Sequence, residues 1–201
     1  MKKDVANTRD PFVADSLLLI DAGGEFKGYD TDITRTIPVS GRFSPTQEAV
    51  YNAVLAAQLS GAAVCGPMVT VQNMSLVVTT ELATQLVKLG MISTANISLV
   101  KFFCPHGYFH GVGLDTHEPL PNPLLQNVVL TIEPGIYFNR VSFTNDTFAR
   151  NPQIVRSAVE PLVQSGFGGI RIEDTFVVTL SGCESLSNAF KTVDEIEQNM
   201  K

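Results

Sequence analysis

Four carboxylates interrupt segments whose patterning otherwise belongs to β-strands: Asp21 after the apolar run "LLLI", Asp32 inside "TDITRTIPV", Glu133 after "VVLTI" and Glu173 within "IRIEDTFVV". A short apolar run of the "LLLI" kind is what a fully buried strand shows, and polar–apolar alternation at period two marks a half-buried one. A bare carboxylate buried there costs many kcal/mol, so each must be hydrogen-bonded, ion-paired or bound to a cation. Along the last of these strands Arg171, Glu173 and Thr175 share one face, and Ile170, Ile172 and Phe176 the other, because strand side chains alternate. The charged face must meet something polar. Arg35 and Arg171 are candidate ion-pair partners for a single strand-borne aspartate; four such carboxylates ask for more.

The remaining pattern sets these strands in an α+β order. "SPTQEAVYNAVLAAQLSGAAV" reads as a helix with Ser44 as N-cap, Pro45 at its first position and Gln47 closing a capping box. Its apolar face runs through Val50, Ala53, Val54, Ala57 and Gly61. A second helix fits "QNMSLVVTTELATQLVKLG", with Met74, Val77, Val78, Leu82, Leu86 and Leu89 at helical spacing and Gly90 as the stop. "NVVLTIEPGIYF" and "GIRIEDTFVVTL" are each read as a strand, separated by a less regular polar stretch from Asn139 to Gly169. Without strict βαβ alternation or an internal repeat, residues 1–201 are read as one domain.

Composition narrows the function classes. With 44% hydrophobic residues the chain can bury a sizeable core, and a net charge of −6 with no Lys/Arg run leaves no footprint for nucleic acid or an anionic membrane surface. Cys65, Cys104 and Cys183 are odd in number and widely spaced, which suggests neither a disulfide framework nor a zinc knuckle; the simpler reading is reduced thiols in a cytoplasmic protein. "MKKDVANTRDPF" lacks the apolar centre of a signal peptide, and no 18-residue apolar run is present.

All three histidines, His106, His110 and His117, fall within "CPHGYFHGVGLDTHEP", where glycines at 107, 111 and 113 let the backbone approach closely. One histidine on a loop more often satisfies backbone groups than binds a ligand. Three together with four strand-borne carboxylates point to divalent cations. A carboxylate-rich, Cys-free donor set suits Mn²⁺, Co²⁺ or Fe²⁺, whereas structural zinc sites are dominated by Cys and His. Two bridging carboxylates can hold two ions about 3.5–4 Å apart, which together lower the pKa of a shared water.

The motifs "DAGGEFKGYDTDITRT", with its eleven-residue step from Asp21 to Asp32, "HGYFHGVGLDTHE", "LTIEPGIYF" and "GGIRIEDTFVVT" occur in an order that resembles the pita-bread metallopeptidases, and within them prolidase (Xaa-Pro dipeptidase) and aminopeptidase P. The likeness runs from about Leu17 onward, and the closing "FGGIRIEDTFVVTLSG" with "KTVDEIEQNM" looks most like eukaryotic prolidase. The resemblance implies a pita-bread fold and two divalent ions, Mn²⁺ first with Co²⁺, Zn²⁺ or Fe²⁺ as alternatives. It implies Asp21, Asp32, His110, Glu133 and Glu173 as ligands, with Asp32 and Glu173 bridging and Asp30 only a neighbour. Glu133 would also carry the proton of the bridging water. His106 and His117 resemble the pair flanking the scissile bond, and Arg171 the arginine held beside the bridging Glu. A proline-containing dipeptide or peptide is the implied substrate, and a homodimer the implied assembly.

The chain also departs from that family. Members carry an N-terminal domain, then a helix and hairpin bearing another active-site histidine, ahead of the first matched strand; only sixteen residues precede Leu17 here, so the expectation is a catalytic domain truncated at its N-terminus. The stretch from His117 to Glu133 is shorter than in prolidases and lacks their carboxylate-clamping arginine, which leaves dipeptidase and aminopeptidase P specificity both open. Tyr108 and Phe109 stand where small or apolar residues are common. The competing reading is a weakly active or inactive homologue used as a binding or dimerisation module.

Overall fold

The computed structural model describes residues 12–144 and 150–200. Strand β1 (Leu17–Ala22) pairs antiparallel with β4 (Ile33–Pro38), Asp21 lying opposite Thr34. Between them a small hairpin, β2 (Glu25–Phe26) and β3 (Tyr29–Asp30), turns at Lys27 and Gly28 with φ of 54° and 79°. A two-residue hairpin turn of this hand needs positive φ at both central positions, which glycine adopts freely.

The two later apolar runs each bend at an acidic residue. β5 (Val129–Ile132) pairs with β8 (Asp174–Val178), and β6 (Gly135–Phe138) with β7 (Gly168–Arg171), all antiparallel. Pro134 has no amide to give the ladder and separates β5 from β6. The matching break, at Ile172 and Glu173, separates β7 from β8, and the Ile172 amide donates to the Pro134 carbonyl at 3.4 Å. Beyond β8 lies β9 (Cys183–Ser185). A bridge between Thr34 and Glu173 joins β4 to this bend. On the other side of β5 the histidine segment runs antiparallel, the amides of Thr131 and Glu133 donating to the carbonyls of His110 and Tyr108, each at 2.9 Å. Four chain segments therefore converge on one point, with Asp32, Glu133, Glu173 and His110 around it.

Helices cover the other face. α1 (Pro45–Val64) starts at the Ser44–Gln47 capping box, and α2 (Val71–Lys88) at Thr70, whose hydroxyl accepts from the Asn73 amide. They bury Val50, Val54 and Ala57 against Val78, Leu82 and Leu86. α1 comes so close to α2 and β5 that a Cβ on Gly61 would lie 2.8 Å from a Val78 methyl and 3.2 Å from one of Ile132. α3 (Ile97–Phe103), α4 (Arg140–Thr144), α5 (Arg156–Ser165) and α6 (Val193–Asn199) complete the described elements. The larger apolar cluster joins α1, α2 and α3 to Ile136 and Ile170; a second gathers Met74, Leu124, Leu130, Ile132, Phe176 and Val178. No helix among the described residues is long and apolar enough to cross a membrane.

Several expectations need correcting. β1 is no buried strand: its first three residues are half-buried and Ile20, Asp21 and Ala22 are exposed, because the only strand that β1 pairs with among those described is β4. Asp32 precedes β4 instead of lying inside it. Each of the two late strands is two strands, since Pro134 and the Glu173 bend interrupt the ladder. The supposedly irregular stretch from Asn139 contains α4 and α5, the latter obscured by Pro161 within it. Cys65 and Cys183, read as reduced thiols, form a disulfide, with Cα atoms 5.5 Å apart despite a sequence separation of 118: Cys65 caps α1, and β9 returns beside it. Cys104 is free and buried.

Candidate metal centre

The imidazole of His110 organises the site. Its Nδ1 lies 2.9 Å from the Gly111 carbonyl, a bond that only an Nδ1–H can make, so Nε2 is left facing the cluster. Nε2 is 3.3 Å from Glu133 Oε1, 3.5 Å from Asp32 Oδ2 and 3.7 Å from Glu173 Oε1. Three carboxylates closing on one ring nitrogen demand a positive charge there, either a proton or a cation. Donor atoms of Asp32, His110 and Glu173 all lie within 4.8 Å of one another, a spacing that fits a shared ion.

The strain of this arrangement shows in the acid–base behaviour. Burial, then the charges of Glu173 and Asp21, raise Asp32 to about 6. Burial and the Glu173 charge raise Glu133 to about 7, against the opposing pull of His110 and Arg171. Burial alone would lower His110, but the nearby Glu173 carboxylate, the Gly111 carbonyl and the charge of Glu133 outweigh it and raise the ring to about 9. Like charges this close take up protons unless a cation replaces them.

The other sequence-derived candidates sit around this cluster. Asp21 adjoins Asp32 but is half-exposed and ion-paired with Arg171, Nη2 to Oδ2 at 2.6 Å. Arg171 is thus held beside Asp21 and, at 3.9 Å, Glu133, more than beside the proposed bridging Glu173. His117 packs edge-on against His110 with ring centroids 4.5 Å apart, and lines a cleft of about 430 Å³ with Asp21, Asp30 and Asp32. His106 lies on another side, lining a second cleft of about 470 Å³ with Tyr137 and Arg171. Burial lowers its pKa, and the Arg171 charge adds to this against the Gly107 carbonyl.

Two residues that the sequence reading did not single out, Thr34 and Tyr137, complete the surroundings. The Thr34 hydroxyl donates to Glu173 Oε2 at 2.6 Å. Tyr137 joins His106 Nε2 at 2.7 Å to Arg171 Nη1 at 3.3 Å through its hydroxyl. Tyr137 lies in the quoted "EPGIYF" motif and Thr34 in "DITRT", but neither type titrates near neutrality, so the search for carboxylates and histidines passed over both. Tyr108 turns into the core and shares a hydrogen bond with Thr79 at 3.1 Å.

A sequence profile described as metallopeptidase family M24 matches residues 3–180. The chain belongs to metallopeptidase family M24. Among curated M24-type relatives, the probable Xaa-Pro aminopeptidase PEPP of Paracoccidioides brasiliensis (strain Pb03) is 35% identical over 206 residues, covering 90% of this chain and 43% of the relative. The probable Xaa-Pro aminopeptidase pepP of Botryotinia fuckeliana (strain B05.10) is 31% identical, covering 90% and 44%. Among solved structures, Pseudomonas aeruginosa aminopeptidase PepP superposes with a TM-score of 0.77 at 33% identity over 96% of this chain and 43% of its own. Zn-substituted Escherichia coli aminopeptidase P in complex with product gives 0.73 at 34% identity, over 92% and 41%. The fold is the pita-bread fold of M24, and the chain spans less than half the length of these relatives.

Proposed function

We propose that this M24 chain carries the metal centre of a peptidase that hydrolyses the bond between an N-terminal residue and proline. The observation that carries the reading is the convergence of Asp32, Glu133 and Glu173 on His110 Nε2 within 3.3–3.7 Å, a donor set that calls for cations. Asp21, Asp32, His110, Glu133 and Glu173 would hold two divalent ions, Asp32 and Glu173 contributing to both. The preference of oxygen-rich sets for hard cations favours Mn²⁺. When bound, such ions polarise the scissile carbonyl and make water acidic enough to attack at neutral pH.

The chain's own residues would do the rest. Glu133 carries a proton from the attacking water to the departing proline nitrogen. His117, beside His110 on one cleft, and His106, on the other, orient the substrate carbonyl and steady the charge that builds on it. Arg171 holds Asp21 in place, while Tyr137 ties Arg171 to His106. Xaa-Pro aminopeptidase activity of the longer relatives supports the substrate class, and both a dipeptide and a longer peptide are compatible with clefts of this size.

The test is metal content of the purified chain by mass spectrometry, followed by hydrolysis of Gly-Pro and Gly-Pro-Ala after Mn²⁺ is added to metal-stripped protein. The reading expects bound Mn²⁺ and cleavage of at least one of the two peptides. Failure to take up metal would overturn it; metal uptake with neither peptide cleaved would favour a binding or dimerisation module. Turnover of the tripeptide alone would assign aminopeptidase P specificity over prolidase specificity.

A further inference from the structure

Below the carboxylate cluster, on the opposite side of β4 from the Thr34 hydroxyl, lies an ion pair that none of the proposed chemistry uses. Arg35 is 8% exposed and Asp174, the residue after Glu173, 1% exposed; their side chains meet at 2.5 Å. A guanidinium has five N–H donors in a fixed plane, and all five are placed here. Nε donates to the Phe190 carbonyl at 2.8 Å, and Nη2 to Asp174 Oδ1 and to the Ala189 carbonyl at 3.1 Å. Nη1 donates to the carbonyls of Thr34 at 2.9 Å and of Glu173 at 2.6 Å.

These contacts surround Glu173. Its amide donates to the Thr34 carbonyl at 3.0 Å, its carbonyl accepts from Arg35, and its carboxylate accepts from the Thr34 hydroxyl at 2.6 Å. Glu173 sits where β7 breaks from β8, so the sheet ladder does not hold it; residues 34 and 35 of the neighbouring strand do. We infer that Arg35 is a positioning residue for the metal centre: by fixing the Glu173 backbone at the bend, it sets where the Glu173 carboxylate stands. The same guanidinium anchors the 189–190 segment that leads into α6, so that segment is built into the support of the site, whereas Lys191 Nζ adds a second cation to the Asp174 carboxylate alone, 2.8 Å from Oδ2. A lysine cannot substitute, because a point ammonium with three donors cannot reach all five acceptors, three around the bend and two in the 189–190 segment. This inference rests on the reading of Glu173 as a metal ligand.

The experiment titrates Mn²⁺ alone into metal-stripped chain by calorimetry, for the parent, R35K and K191M, with melting temperatures measured alongside. K191M removes a contact of Asp174 but none of Glu173. We expect R35K to bind Mn²⁺ about ten- to hundredfold more weakly, as loss of a residue orienting a ligand commonly does, and K191M to melt lower but keep the parent's affinity. Should R35K fail to fold, the double variant R35Q/D174N, which removes both buried charges together, takes its place with the same weakened affinity expected. Parent-like affinity in the Arg35 variant overturns the inference, as does an equal loss in K191M at equal loss of stability. A parent chain that takes up no Mn²⁺ overturns the metal reading of the site itself.

Discussion

Asp32, just ahead of β4, and Glu173, at the bend between β7 and β8, face the same imidazole nitrogen at 3.5 and 3.7 Å, and in the proposed reading each serves two ions. Replacing either by Ala should therefore remove both equivalents of Mn²⁺, whereas Asp21→Ala, at the exposed edge, should remove mainly one. Metal stoichiometry by mass spectrometry decides this, and an Asp32→Ala protein with the parent's stoichiometry would refute the bridging assignment. The raised pKa values predict how the metal-free chain responds to pH. Asp32 and Glu133 keep protons up to about 6 and about 7 in the folded state but release them in the ordinary carboxylate range when unfolded, so stability falls as pH rises through that window. The stabilisation from His110, raised from 6.5 to about 9, is complete below 6.5 and lost as pH rises through about 9. Both act in one direction. Chelated protein should melt progressively lower from mildly acidic to alkaline pH, and Mn²⁺ should flatten that trend because metal binding requires the deprotonated donors. A pH-independent melting temperature for the chelated chain would contradict the crowding of these groups.

The elements behind the site are held by close packing and one covalent tie. Gly61 lets α1 approach β5 and α2 with no room for a side chain, so Gly61→Val should cost roughly 1–3 kcal/mol through overpacking. Because β5 leads into Glu133, it should weaken metal binding as well, read by thermal melting and Mn²⁺ titration together. The Cys65–Cys183 disulfide closes a loop of 118 positions between the end of α1 and β9. Its removal, by reductant or as C65S/C183S, should cost about 2–5 kcal/mol. Non-reducing mass spectrometry with thiol alkylation gives the direct check: one alkylated cysteine, Cys104, is expected in the denatured but unreduced chain, and three would show that the bond does not form. α1 and α2 were legible in advance because caps and the 3.6-residue period are local signals; Ser44 and Gln47 form the capping box where the sequence places it. α5 was not, since it is only ten residues long, has no side-chain cap and carries Pro161, and packing of Val159, Leu162 and Val163 against the core holds it.

At the scale of the molecule, cations binding the folded state alone should stabilise it by mass action. Free Mn²⁺ at a hundred times its dissociation constant should add about 2.7 kcal/mol, so the melting temperature should climb with metal concentration; identical melting with Mn²⁺ and with chelator would count against any metal site. The sequence by itself determined the α+β order, the pita-bread likeness and the candidate side chains Asp32, His110, Glu133 and Glu173 that the fold gathers, because strand alternation, helix caps and motif spacing are written within a few residues of one another. Only the tertiary structure decided that β5–β6 and β7–β8 bend together at Pro134 and Glu173, that Asp21 turns to Arg171, that Cys65 meets Cys183, and that Arg35 takes hold of the Glu173 backbone. Each of those outcomes depends on which atoms arrive beside one another from positions more than a hundred residues apart, or on a ladder broken by a missing amide. Local periodicity carries no information about such meetings, and the low-dielectric interior where they occur makes their hydrogen bonds and charges decisive.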